Sequence, residues 1–157
     1  MATGTPATKL LTSAGVHYVE HEYTHDPNST SFGLEAAEKL GVDPSRVFKT
    51  LIANVDESFA VAIVPVNQQV SLKSLSRTLG AKRATMADPA QAARMSGYVV
   101  GGISPLGQKR LLTTVIDQSA QQFETILVSG GRRGFDIELS PNALAELLSA
   151  VFAEIAS

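Results

Sequence analysis

Apolar positions recur along the chain in two periods, and each switch between them marks a change of element. Leu10, Leu11 and Ala14 form a stripe behind Thr5-Pro6, a cap followed by proline at the first helical position, and Gly15 ends it. A short amphipathic helix is predicted there. From Val16 to Tyr23 the pattern alternates, with His17, Val19, His21 and Tyr23 on one face and Tyr18, Glu20 and Glu22 on the other. That is the period of a half-buried strand, broken by His25-Asp26-Pro27-Asn28. Leu34, Ala37 and Leu40 then return at helical spacing until Gly41.

Val47 to Val55 and Phe59 to Val66 are β-rich runs joined by Asp56-Glu57-Ser58, which predicts an antiparallel hairpin through the core. Ser71 opens a helix carrying Leu72, Leu75 and Leu79, and Asp88-Pro89 opens another that ends at Gly97. Further β-rich runs cover Leu111 to Ile116, Thr125 to Ser129 and Phe135 to Leu139. Ser140-Pro141 then caps a last helix with Leu144, Leu147, Leu148 and Val151 expected on its inner face. Helices and strands mix without strict alternation, and tight turns join neighbouring strands. A mixed, mainly antiparallel sheet is therefore expected rather than a doubly wound parallel one, which places the chain in the α+β class.

The 157 residues are one domain's worth, and no linker or internal repeat divides residues 1–157. With 44% hydrophobic and 18% charged residues the composition excludes a disordered, collagenous or coiled-coil protein. The absence of cysteine excludes a disulfide scaffold, a Cys-ligated zinc site and a cysteine nucleophile. The longest apolar run, Phe59 to Val66, is too short to span a bilayer and contains Pro65, so no membrane association is expected. The first residues lack the pattern of a secretory signal, making the cytoplasm the default location. A net charge of −2 argues against electrostatic coating of nucleic acid, although Lys82-Arg83, Lys109-Arg110 and Arg132-Arg133 leave room for a local basic face.

Four features carry candidate chemistry. His17, His21 and His25 are spaced four apart, which suits metal ligation on a helix, but on a strand neighbours would stand about 13 Å apart; no metal site is expected. Gly102 and Gly107 imitate the opening of a phosphate-binding loop, yet Gln108 stands where the lysine belongs and Pro105 removes an amide donor. Gly101, Gly102 and Gly107 either let backbone approach a ligand or simply make turns. The segment from Ser129 to Gly134 reads as a hairpin loop whose arginines face solvent or a phosphate, with Asp136 just beyond it. Asp56, Asp88 and Asp117 have turn or cap explanations that Asp136 lacks. Finally, Lys49 interrupts an otherwise buried run, either snorkelling at a sheet edge or sitting in a pocket as an anion partner or with a lowered pKa.

Phe48-Lys49-Thr50-Leu51, the strand Ala62 to Val66, Met86 to Pro89, Gly97 to Lys109, Ile116-Asp117 and Val128 to Gly131 together resemble the YbaK branch of the YbaK/prolyl-tRNA synthetase editing-domain family. The likeness runs from Thr5 to about Ile155. It implies a barrel-like mixed sheet flanked by helices, and a trans-editing hydrolase that cleaves the ester of Cys-tRNA(Pro), and also Cys-tRNA(Cys), without a cofactor. Prolyl-tRNA synthetase is the implied partner. Lys49 matches the family's essential lysine, with Gly101 and Gly102 backbone at the aminoacyl group and Tyr23, Thr50, Ser104, Ser129 and Asp136 as further pocket residues. Phe48 stands where the family often has tyrosine. In this branch the substrate's own thiol attacks its ester; the alternatives are an Ala-tRNA(Pro) deacylase using water, or a non-catalytic binder of nucleotides or tRNA ends.

Overall fold

The computed structural model describes residues 4–157. Its first helix, α1 (Pro6–Ala14), starts where the sequence places it: Thr5 and Thr8 cap each other reciprocally, and Gly15 closes the helix in the left-handed region at φ 68°. The following strand, β1 (Val19–Glu22), is shorter than the alternation predicts, and Val19 is 44% exposed. It pairs with β7 (Phe135–Leu139) alone among the described strands, from Val19 opposite Glu138 to Glu22 opposite Phe135, and lies at the edge of its sheet. Helix α2 (Phe32–Leu40) follows, ended by Gly41.

The predicted hairpin is β2 (Phe48–Val55) with β3 (Ser58–Pro65), paired in register from Phe48 opposite Pro65 to Val55 opposite Ser58. Beyond it come α3 (Leu72–Thr78), a short edge strand β4 (Ala84–Met86) that the sequence pattern does not disclose, and α4 (Pro89–Ser96), capped by Asp88 and Gln91. An irregular glycine-rich segment then leads to β5 (Thr113–Asp117), β6 (Ile126–Arg132) and β7. The last helix, α5 (Pro141–Leu148), ends at Ser149, which takes a left-handed φ of 52°. Val151, expected inside this helix, instead opens β8 (Val151–Ala153) and is half exposed. Ser149 turns the chain so that β8 can pair in parallel with β5, an attraction the helical period of the side chains does not encode.

Two sheets result, β1-β7-β6 and β4-β2-β3-β5-β8, and four of the six strand pairings are antiparallel. The mixed, mainly antiparallel α+β class is as expected, but the sheets do not close into a barrel. β6 meets the residue just before β2 at an isolated parallel bridge, Val47 with Leu127. The main core lies between the sheets: Phe48, Ile52, Ile63 and Ile116 face Ile126, Val128, Phe135 and Ile137, with Leu11 and Leu144 closing the ends. Each fully buried side chain of this size contributes about 1.5–3 kcal/mol. The other face of the larger sheet is covered as well, with Ala53, Ala62, Val64 and Val115 packed against Leu75 and Ile155. Burial on both faces explains why β2 and β3 read as continuous apolar runs rather than alternating ones.

Candidate functional site

The seam between the sheets is where β2 loses its neighbours. β6 touches it at Val47, and β4 joins it only at Ala53 to Val55, with the Ala87 N–H reaching back to the Ile52 carbonyl. Between those attachments residues 48–51 pair with β3 on one side only, and no strand among the described residues lies along their other edge. A cavity of about 440 Å³ opens there, walled by this edge, the start of α2, Met86 to Ala92, the turn at Val100-Gly101 and the ends of β6 and β7. Because the cavity lies at the edge of β2 rather than on one face, both Lys49 and Thr50 line it although their side chains leave opposite faces.

Lys49 is half-buried, and no carboxylate pairs with its ammonium among the described residues. Burial therefore lowers its pKa without a neighbouring negative charge to restore it. Thr50 is buried, and its hydroxyl has no hydrogen-bond partner among the described residues. Asp136 sits at the second position of β7, opposite Ser129 of β6 and His21 of β1, and is only 6% exposed. Burial pushes its carboxyl up to about 7. Tyr23 is pushed up to about 12, first by burial and then by the Asp136 charge. The cavity thus holds a cation, a carboxyl and a hydroxyl that the fold has desolvated without pairing, each costly unless a ligand completes it.

Ser129 is aimed into the cavity by a bulge between Ser129 and Arg132, where Gly130 and Gly131 add residues that β7 does not match. The Ser129 hydroxyl accepts from the Gly131 N–H, and the Gly130 carbonyl accepts from the Thr5 hydroxyl. Neither glycine is replaceable without movement, since a Cβ on Gly130 would come within 2.4 Å of the Phe135 ring and one on Gly131 within 2.9 Å of Tyr98.

Six of the eight candidate residues therefore line one cavity: Tyr23, Lys49, Thr50, Gly101, Ser129 and Asp136. Gly102 and Ser104 do not. Gly102 is buried against the Arg132–Arg133 backbone, where a Cβ would stand 2.8 Å from the Arg132 Cα. Ser104 is fully buried and its hydroxyl accepts from the Leu106 N–H, so it shapes the glycine-rich turn from behind. Gly107 supports the same turn against the Pro6–Ala7 backbone. The histidines are not grouped: His21 bonds Glu138 and His25 bonds Glu35. Asp56, Asp88 and Asp117 all accept backbone N–H groups at turns or caps, which leaves Asp136 as the aspartate without such a role. Asp117 additionally ties down the C-terminal segment through the Ile155 and Ala156 N–H groups.

The sequence does not single out Phe32, which forms part of the wall; Met86 and Ala87, which also line the cavity, enter only as part of the segment Met86 to Pro89 and not as site residues. Phe32 stands at the first position of α2, so helical periodicity gives it no direction. That end of α2 is pinned by Glu35. Burial would raise the Glu35 pKa, but the Asp26 N–H, His25 and Lys39 together hold it below the ordinary carboxylate range.

Residues 26–147 match the model of the aminoacyl-tRNA editing domain. The chain is 36% identical over 152 residues to EbsC of Enterococcus faecalis, named as a candidate Cys-tRNA(Pro)/Cys-tRNA(Cys) deacylase; the match covers 96% of this chain and 92% of EbsC. It is also 27% identical to the proline–tRNA ligase of Thermosipho melanesiensis, over 74% of this chain but only 20% of the ligase. Among solved structures, one described as a candidate trans-editing enzyme for prolyl-tRNA synthetase superposes with a TM-score of 0.83 at 21% identity, covering 99% of each chain. By its matched residues and by its likeness to EbsC along nearly its whole length, the chain belongs to the aminoacyl-tRNA editing domain family.

Proposed function

We propose that this protein is a trans-editing deacylase that hydrolyses the ester joining cysteine to tRNA(Pro), and to tRNA(Cys), with prolyl-tRNA synthetase supplying tRNA selectivity. The observation that carries the proposal is the set of unpaired polar groups in one cavity, Lys49, Thr50 and Asp136, together with the lack of any cysteine nucleophile. The substrate end supplies complements for each: phosphate and ribose oxygens for the Lys49 ammonium, the α-ammonium for the Asp136 carboxylate, and a donor or acceptor for the Thr50 hydroxyl. The Gly101 backbone faces the same space and offers no side chain to keep an aminoacyl group away.

The chemistry then comes from the substrate. The cysteinyl sulfur, as thiolate, attacks its own ester carbonyl; the C–O bond to the ribose breaks, and the ribose oxygen takes up a proton. The strained thiolactone is opened by water to free cysteine. The protein's part is to hold sulfur and carbonyl in line, an alignment worth at most ~7–11 kcal/mol and less here because the ring formed has four members. A negative net charge predicts weak, salt-sensitive binding of tRNA by the isolated domain.

Incubation with a panel of charged tRNAs tests this reading. Cys-tRNA is expected to turn over with a rate that climbs toward the thiol pKa of about 8.5, while Ser-tRNA and Ala-tRNA bind comparably and turn over slowly. Equal hydrolysis of Cys-tRNA and Ala-tRNA would replace the thiol mechanism with attack by water, and binding without turnover would leave a tRNA-end binder.

A further inference from the structure

The β6–β7 turn carries an arginine that the deacylase chemistry does not use. Arg133 lays its guanidinium over the Phe32 ring, 4.9 Å from the ring centroid, and its Nε donates to the Val100 carbonyl at 2.9 Å. His25 closes on the same ring at 5.6 Å. The Gly101 backbone lies against Phe32 so closely that a Cβ there would come within 2.7 Å of the ring. Phe32, Val100 and Gly101 all line the cavity, so one side chain joins two of its walls. Arg133 is itself held in place: Gly134 behind it is buried at φ +81°, its carbonyl accepts from the Tyr23 N–H, and a Cβ on it would meet the Tyr23 carbonyl at 2.6 Å. The neighbouring Arg132 is occupied elsewhere, on Glu22 and the Phe135 ring.

We infer that Arg133 is a positioning residue: by stacking on Phe32 while hydrogen-bonding the Val100 carbonyl, it locks two cavity walls together and fixes the Gly101 backbone for turnover. The alternative for an arginine at a cavity rim is contact with a tRNA phosphate, and the two roles leave different signatures. The kinetic half of the inference rests on the deacylase reading; the structural half does not.

Arg133→Met, Arg133→Lys, Phe32→Leu and the double variant Arg133→Met/Phe32→Leu are compared with the unaltered protein on Cys-tRNA(Pro). Arg133→Met is expected to lower kcat about 10-fold with KM within twofold, and the slope of log KM against log salt should not change. Arg133→Lys, which keeps a cation over the ring and a donor for the carbonyl, should recover to within about threefold of the starting rate. The double variant should be no slower than the slower single variant, since the arginine acts through the ring. Amide hydrogen exchange across Val100 to Ile103 should accelerate at least 10-fold in Arg133→Met while exchange in β2 and β3 is unchanged. Additive losses, or a rise in KM with a salt slope shallower by about 0.7–0.9, would assign Arg133 to phosphate binding instead. If the unaltered protein does not deacylate Cys-tRNA, the functional reading fails by itself, and unchanged exchange at Val100 to Ile103 then overturns the clamp independently.

Discussion

Asp136→Asn separates what the cavity costs the fold from what it gives the reaction. The Asp136 carboxyl is buried, and among the described residues no side-chain hydrogen bond offsets its desolvation; its pKa rises from 3.8 to about 7. Below about pH 4 it is protonated in folded and unfolded chains alike and does not affect stability. As pH rises, the unfolded chain gives up the proton first, so the folded state loses stability until about pH 7, above which the full difference stands. A rise of that size corresponds to about 4 kcal/mol, a large share of the ~5–15 kcal/mol that holds a domain together. Asparagine carries no charge and escapes this penalty. Urea melts from pH 4 to 9 should therefore show the Asn variant gaining on the unaltered protein as pH rises, by up to about 4 kcal/mol at pH 8, with the two curves converging near pH 4. Turnover should fall in the same variant, by roughly 10- to 100-fold, because a neutral amide no longer pairs with a substrate ammonium. A stability gap that stays constant across this range, or grows toward low pH, would mean that Asp136 is paired in the fold and would refute the reasoning.

Lys49→Ala should cost at least roughly 100-fold in kcat/KM while leaving the thermal midpoint unchanged or higher, since a half-buried ammonium without a carboxylate partner contributes nothing to the fold. Near-normal turnover in deacylation assays would remove the lysine from the mechanism. Thr50→Val replaces an unpartnered buried hydroxyl by a methyl of similar shape, so chemical denaturation should show a neutral to stabilising effect of about 1 kcal/mol alongside slower turnover. Gly134→Ala forces a side chain into the left-handed region against the Tyr23 carbonyl, and a loss of about 1–3 kcal/mol in urea melts is expected.

The hydrophobic pattern alone determined most of the elements, and it did so because their signals are local. Thr5-Pro6, Asp88-Pro89 and Ser140-Pro141 start helices by satisfying their own first N–H groups, and Gly15, Gly41 and Gly97 stop them by entering the left-handed region, whatever the rest of the chain does. The β2–β3 hairpin is equally local, and the lysine that interrupts its apolar run lines the cavity. Where an element depends on a distant partner, the pattern is silent or misleading. β4 exists only because β2 offers an edge at Ala53 to Val55, β8 only because β5 offers one at Val115 to Asp117, and Val151 accordingly leaves the helix its spacing suggested. The same holds inside the site. Ser104 and Gly102 lie in the glycine-rich segment, but the turn directs them into protein, whereas Phe32, without a motif of its own, becomes a wall through the way α2 docks. Local capping and turn energetics are written residue by residue; an open sheet edge, and the cavity it leaves beside Lys49, arises only when strands far apart in the chain meet and then part.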